Sequence, residues 1–483
     1  MLFSDSITYK CCKKQVVYSS SKNVGDDKMT QAQALGDAKT QQILYGSLFP
    51  LLLKMASPNA IAFLLQAAVS MTEVWYVGQL GTISLAAIAL VFPMLMLMQM
   101  MSAGALGGAV TSSIARALGA GEIRKAETLV WHAVILAFTG AGSCLILYWI
   151  GGGRLLSVLG GEGDVLRQAI LYADILFTGA VVLWLTNTLS AVYRGMGNMQ
   201  FPAAVMMFAA VLQVPLSGAL ILGWQGLPQM GIVGAAISAI TVGFISASVL
   251  VAGLTFGNVT VPLRFSNFRL NKTQFSDITK VAFPASLSPL LTVLSILILT
   301  GLMGRFGNAA LAGFGIGSRL EFLLVPMVFG IGAAMTSMVG VNVGAKNMRR
   351  AEKIGWVGGA FAGALTGVIG CAAAYWPGLW VGIFTNDRET FDVGFRFLQI
   401  VGPCFAFQGL GLSLYFASQG AGKVSWPVLA TIFRFAVTVS GAFIGIHWFG
   451  GGPDTVFYFA GLGMVLYGTI TATAISLGAW RTA

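Results

Sequence analysis

The sequence predicts an all-α integral membrane protein of twelve transmembrane helices in two pseudo-symmetric six-helix lobes. Three observations predict it. Of 483 residues 56% are hydrophobic and only 9% charged, with a mean hydropathy of +0.81, whereas a soluble fold carries about a quarter charged residues. The apolar residues arrive in blocks of roughly 20 to 30, the length that crosses a bilayer as a helix, while barrel strands need only about ten. Finally, the second half of the chain repeats the first at a nearly constant offset.

Taken in order, residues 1–46 are polar, mixed in charge and without the layout of a secretory signal, and read as a disordered cytoplasmic tail. Apolar blocks follow near 49–79, 83–112, 128–151, 169–193, 201–224 and 230–257, forming an amino-terminal lobe over 47–257. A cytoplasmic linker is expected at 258–280. The carboxy-terminal lobe, 281–483, holds blocks near 281–304, 310–341, 354–378, 395–417, 426–449 and 455–479. The repeat is visible in matched motifs. Ala56-Ser57-Pro58 answers Ala282-Phe283-Pro284 and Gly78 answers Gly304 (304 − 78 = 226), while Gly119-Ala120 answers Gly344-Ala345 (344 − 119 = 225) and Gly195 answers Gly420 (420 − 195 = 225). Six spans per repeat is even, so both halves enter the membrane from one side. Paired lobes of this kind hold substrate between them and rock about it, which points to a transporter.

The net charge of +11 is a topology signal rather than a nucleic-acid footprint, because the basic residues lie in short loops and form no face interleaved with aromatics. Fourteen fall on one side, among them Arg116, Arg194, Lys346 and Arg349, against five on the other. That asymmetry places both termini in the cytoplasm of a multi-pass protein of the cell membrane. Trp75, Trp149, Trp224, Trp376, Trp380 and Trp448 fall near the outer span ends, where indoles sit at the interface. Five cysteines make no disulfide framework, and His132 and His447 fit no metal spacing. No phosphate-binding glycine loop and no catalytic set appears. The reading is therefore of a non-enzyme without a cofactor, acting as a monomer in the lipid bilayer.

Ionisable residues deep in a span are costly and mark function. The first span carries Asn59, Gln66, Ser70 and Glu73, which at about 100° per residue fall within about 60° of one another. The stripe is expected to face the interior or a water-filled cavity, with Glu73 holding a proton or ligating sodium. At the same offset the second half has Ala285, Thr292, Ile296 and Leu299, so coupling is assigned to the amino-terminal lobe. Arg319 and Glu321 lie in the eighth span. Two residues apart they cannot face each other, and each needs another partner, structural or in a substrate site. Arg319 is taken as the one cation clearly deep in a span. Asp174 reads as interfacial. The methionine-rich run Pro93–Met101 suits either varied apolar ligands or packing. In-span prolines such as Pro58, Pro215, Pro284 and Pro326 suit helices broken around a cavity or kinked by neighbours.

These motifs resemble the multidrug and toxic compound extrusion (MATE) family over roughly residues 45–480. Glu73-Val74-Trp75-Tyr76-Val77-Gly78-Gln79-Leu80-Gly81 resembles the first-helix signature, and Ala115-Arg116-Ala117-Leu118-Gly119-Ala120-Gly121 the loop after helix two. Arg194-Gly195-Met196-Gly197-Asn198, Gly231-Ile232-Val233-Gly234 and Arg319-Leu320-Glu321 match further family motifs. The resemblance implies export of organic cations and drugs against inward proton or sodium flow. Glu73 stands where the family usually has aspartate, and the second acidic motif of some members falls here on Gln213 and Ser217. One strong carboxylate favours H+ over Na+, since sodium asks for more oxygen charge. The rival readings are a lipid-linked oligosaccharide flippase, whose pyrophosphate cargo would demand several cations in the cavity, and a membrane-embedded enzyme or channel.

Overall fold

The computed structural model describes residues 38–226, 228–264 and 268–481, and every regular element among them is a helix. Twelve spans follow: α1 Leu48–Gly78, α2 Thr82–Gly119, α3 Ile123–Val158, α4 Gly163–Gly195, α5 Gln200–Leu222, α6 Ile232–Phe256, α7 Lys272–Gly304, α8 Asn308–Gly344, α9 Met348–Tyr375, α10 Arg388–Ala421, α11 Ser425–His447 and α12 Pro453–Ser476. In α4 two helices, Gly163–Thr178 and Ala180–Gly195, meet at a 48° bend. Glycine ends many of the spans because the chain must reverse there. Gly81 (φ 113°) and its repeat partner Gly307 (φ 98°) open α2 and α8 in a conformation that a side chain would strain.

Two expectations are corrected. The tail does not run to residue 46: residues 38–45 form a helix with Ile43 buried, while 1–37 lie outside the described residues. Arg350 donates to the carbonyls of Ile43, at 3.2 Å, and Gly46, which ties this helix to the start of α9. The linker is also shorter than 258–280, because α7 already begins at Lys272, where the Asn271 side chain accepts from the Thr273 N–H.

α2 has 38 residues and α8 has 37. The extra residue sits in a π-helical stretch, Met100–Leu106, inside α2. It accounts for the repeat offset falling from 226 before this stretch to 225 after it, as a one-residue π insertion must.

One apolar cluster fills the amino-terminal lobe and reaches into α7, α10 and α11, a second lies within the carboxy-terminal lobe, and a third joins the lobes. That third cluster sets Leu51, Leu52 and Met55 of α1 and Ala115 of α2 against Met335, Met338 and Val339 of α8. The seam is close-packed: a Cβ on Gly119 would strike the Val341 carbonyl, and one on Gly344 the Arg116 carbonyl. Gly330 lies similarly against Ala60 at mid-span. Ser112 crosses the seam to the carbonyls of Gln419 and, at 3.2 Å, Gly420, and Arg116 reaches Gly420 at 3.3 Å. These contacts run from mid-span to the end that carries the basic loops. Closer to the other end, Gln66 and Ser70 of α1 are exposed.

Candidate functional site

Glu73 lies near the far end of α1, half-buried among neutral polar groups from α5 and α6. Gln213 Nε2 donates to Glu73 Oε1 at 2.5 Å, and the Ser217 hydroxyl donates to the same oxygen at 2.8 Å. Ser238 of α6 lies 2.9 Å from Ser217 and anchors itself on the Ala235 carbonyl at 2.8 Å. Gln213 and Ser217 are four apart, so one face of α5 presents both. Pro215 between them has no N–H to give the preceding turn. Among the described residues no lysine, arginine or histidine pairs with Glu73. Its charge meets only dipoles.

The predicted stripe does share a face of α1 but does not converge. Asn59, fourteen residues before Glu73 and so about 21 Å along the axis, is fully buried at the seam and donates to Met199 Sδ at 3.2 Å. Its Oδ1 is buried with no hydrogen-bond partner. Gln66 and Ser70 are exposed between the two. Glu73 instead finds its partners on other helices, and Ser238 carries no signal in the sequence, because a serine in an apolar helix is unremarkable until its neighbours are known.

The second polar site is in the other lobe. A cavity of about 220 Å³ is lined by α7, α8, α10, α11 and α12, with Met96, Met100 and Gly104 of α2 closing one side. Its wall is mostly apolar and carries the hydroxyls of Ser288, Thr292, Ser295, Thr431 and Tyr415. Glu321 and Arg434 face each other there at 3.6 Å, each about one-fifth exposed. Arg434 also donates to Gln408 Oε1 at 2.7 Å and lies 5.8 Å from the centre of the Tyr467 ring. Arg319 points elsewhere, over Phe384 at 5.4 Å. Both residues thus have separate partners, as their spacing requires. The expectation that Arg319 is the one deep cation is corrected: Arg434 is the tenth residue of the 23-residue α11. The signal was present, a lone arginine between Phe433 and Phe435.

The methionine run divides. Met96 and Met100, one turn apart, face the cavity, while Met98 is buried in the amino-terminal core. Beside them the Gly104 carbonyl, which also accepts from the Gly107 N–H, takes a bond across the seam from Gln419 Nε2 at 3.1 Å. The same amide bonds the Tyr415 hydroxyl at 3.0 Å, so seam and cavity are physically joined. Asp174 accepts from the Tyr148 hydroxyl at 2.6 Å.

The MatE family model matches residues 58–218 and 284–444, one copy in each lobe and each beginning at an in-helix proline. A protein of Shewanella oneidensis named as an FAD transporter is 26% identical over 367 residues, covering 76% of this chain and 80% of its own length. The probable multidrug resistance protein NorM of Thermotoga maritima is 26% identical over 404 residues, 82% and 86% of the two chains. Among solved structures, a MATE protein in complex with MaL6 superposes with a TM-score of 0.83 at 23% identity, over 91% of this chain and 99% of that one. A MOP superfamily transporter from Pyrococcus furiosus gives 0.84 at 22%, over 92% and 98%.

Proposed function

Because this chain belongs to the multidrug and toxic compound extrusion family, we propose that it is a secondary antiporter that exports amphipathic organic cations and drugs, driven by protons entering through Glu73. The observation that carries this reading is the set of partners around Glu73. A carboxylate among the helices of a membrane lobe is stabilised by a fixed cation or by a mobile one. Here Gln213 and Ser217 bond it, Ser238 backs them and Tyr172 of α4 lies within electrostatic reach, all neutral, and the mobile cation is left. Protons suit this site better than sodium. Glu73 is the one carboxylate bonded in this cluster, and a hard cation asks for more oxygen charge.

The lobe contacts supply the other half of the mechanism. With both termini in the cytoplasm, the close-packed seam is an inner gate, and the state described is shut to the cytoplasm. Protonation of Glu73 removes a charge that α5 and α6 hold in place, which loosens the amino-terminal lobe for the rocking that opens the seam. Cargo then enters the carboxy-terminal cavity, where Met96 and Met100 adapt to varied apolar bodies. A pyrophosphate cargo fits less well, because that wall offers a single arginine, Arg434, with the Glu321 carboxylate beside it, against several negative charges. That argues against the flippase and against a large dianion such as FAD.

Efflux of a fluorescent lipophilic cation from energised vesicles, under separately imposed proton and sodium gradients, tests the reading. Native protein should export under the proton gradient only, and Glu73→Gln should not export. Equal export by both proteins removes Glu73 from the mechanism, and no export by native protein under either gradient removes drug antiport.

A further inference from the structure

We infer that the carboxy-terminal cavity is a two-pole receptor that selects zwitterions, binding a cationic group at Glu321 and an anionic group at Arg434. The inference rests on the proposed export function for its physiological meaning, but its evidence is the geometry of the ion pair. A charge-assisted bond between guanidinium and carboxylate closes at about 2.7–2.9 Å, commonly through two parallel contacts. Glu321 and Arg434 stop at 3.6 Å. Arg434 makes its shorter bond, 2.7 Å from Nη1, to Gln408 instead. Glu321 has no other polar partner among the described residues. Each charge is therefore only partly satisfied by the other, and both open onto the cavity.

In a wall of low polarity such a pair sets a specificity rule. A simple cation can reach Glu321 only in competition with Arg434, and success leaves an unpaired guanidinium, which is costly away from water. A simple anion has the mirror problem. A molecule with both charges answers both groups and moves no net charge into the lobe. Its apolar or aromatic body lies against Met96, Met100 and Phe329, which the cavity presents on the side of the other lobe. Arg434 is thus a specificity-determining residue and a tethered competitor for cations.

The test is equilibrium binding, without any gradient, of a rhodamine bearing a free carboxylate and of its methyl ester to the full chain in lipid nanodiscs. Native protein is expected to bind the zwitterion at least about ten-fold more tightly than the ester, one charge-assisted contact's worth of affinity. Arg434→Gln should abolish that preference and tighten the ester, and Glu321→Gln should weaken both ligands. The double variant, Glu321→Gln with Arg434→Gln, keeps a neutral hydrogen-bonding pair if either single change fails to fold, and should bind the two ligands alike. Equal binding of both ligands to native protein, or an undiminished preference in the double variant, overturns the inference. A native preference together with no gradient-driven export supports this site while sinking antiport, and export with no preference does the reverse.

Discussion

The two lobes share a fold and a repeat, yet each carries a membrane carboxylate that is treated in the opposite way. Glu73 is met by an amide and a hydroxyl, and Glu321 by a guanidinium. They are not repeat partners. Glu73 corresponds to Leu299 at offset 226, Gln213 to Thr438 and Ser217 to Ala442 at 225, while Glu321 corresponds to Leu95 and Arg434 to Ala209. Each lobe is apolar, or at most a lone hydroxyl, where the other is polar. The lesson is that duplication supplied the frame, and the chemistry was placed in each copy separately. A carboxylate answered by dipoles is available to an ion that comes and goes. One set beside an arginine already has a fixed counter-charge.

The largest expected effect breaks the amino-terminal side. Glu73→Gln keeps shape and hydrogen-bonding capacity but cannot titrate, and export should fall by about a hundredfold, read as initial efflux rate. On the other side, Arg434→Met leaves Glu321 facing a partly exposed cavity alone. Unfolding stability should drop by about 2 kcal/mol, discounted from the cost of a fully buried orphan, and the thermal melt should recover most of it in the double variant with Glu321→Gln.

A smaller effect tests the seam that the lobes share. Gly344→Ala drives a methyl into the Arg116 carbonyl, an overpacking cost of about 1–2 kcal/mol borne only when the seam is closed. Spin-label distances across the far ends of α1 and α7 should shorten as the closed seam is depopulated. Unchanged distances would show that the seam does not set the equilibrium.

The smallest effect separates two helix starts. Asp387 caps α10, its Oδ2 accepting from the Thr390 N–H at 2.9 Å, whereas its repeat partner Glu162 (387 − 162 = 225) makes no such bond before α4. The Thr390 side chain and backbone hold the Asp387 carboxyl below its ordinary value of 3.8. A depressed value means that the cap stabilises fully above that pH and is lost as pH falls through the lower folded-state value. Asp387→Ala should therefore lower the melting temperature slightly at neutral pH and not in strong acid, while Glu162→Ala should lower it at neither.

Much of this was legible in the sequence for reasons tied to particular residues. Bilayer thickness forces long apolar blocks, so all twelve spans could be placed, and Glu73 stood out because a lone acid in α1 is expensive. Convergence across helices was not legible: Glu73 and Ser238 are separated by most of the amino-terminal lobe, and nothing in either segment names the other. The change of offset from 226 to 225 was visible, but only the π-helical turn at Met100–Leu106 explains it. Which end of the lobes closes cannot be read from a pattern at all, since one sequence must pack both ways during transport.

The most direct test of the contrast between the two acids is proton movement itself, followed with a trapped pH dye in proteoliposomes as substrate leaves. The account predicts that native protein moves protons with substrate, that Glu73→Gln moves none, and that Glu321→Gln moves protons with whatever substrate it still exports. Normal proton coupling in Glu73→Gln, or its loss in Glu321→Gln alone, would contradict it.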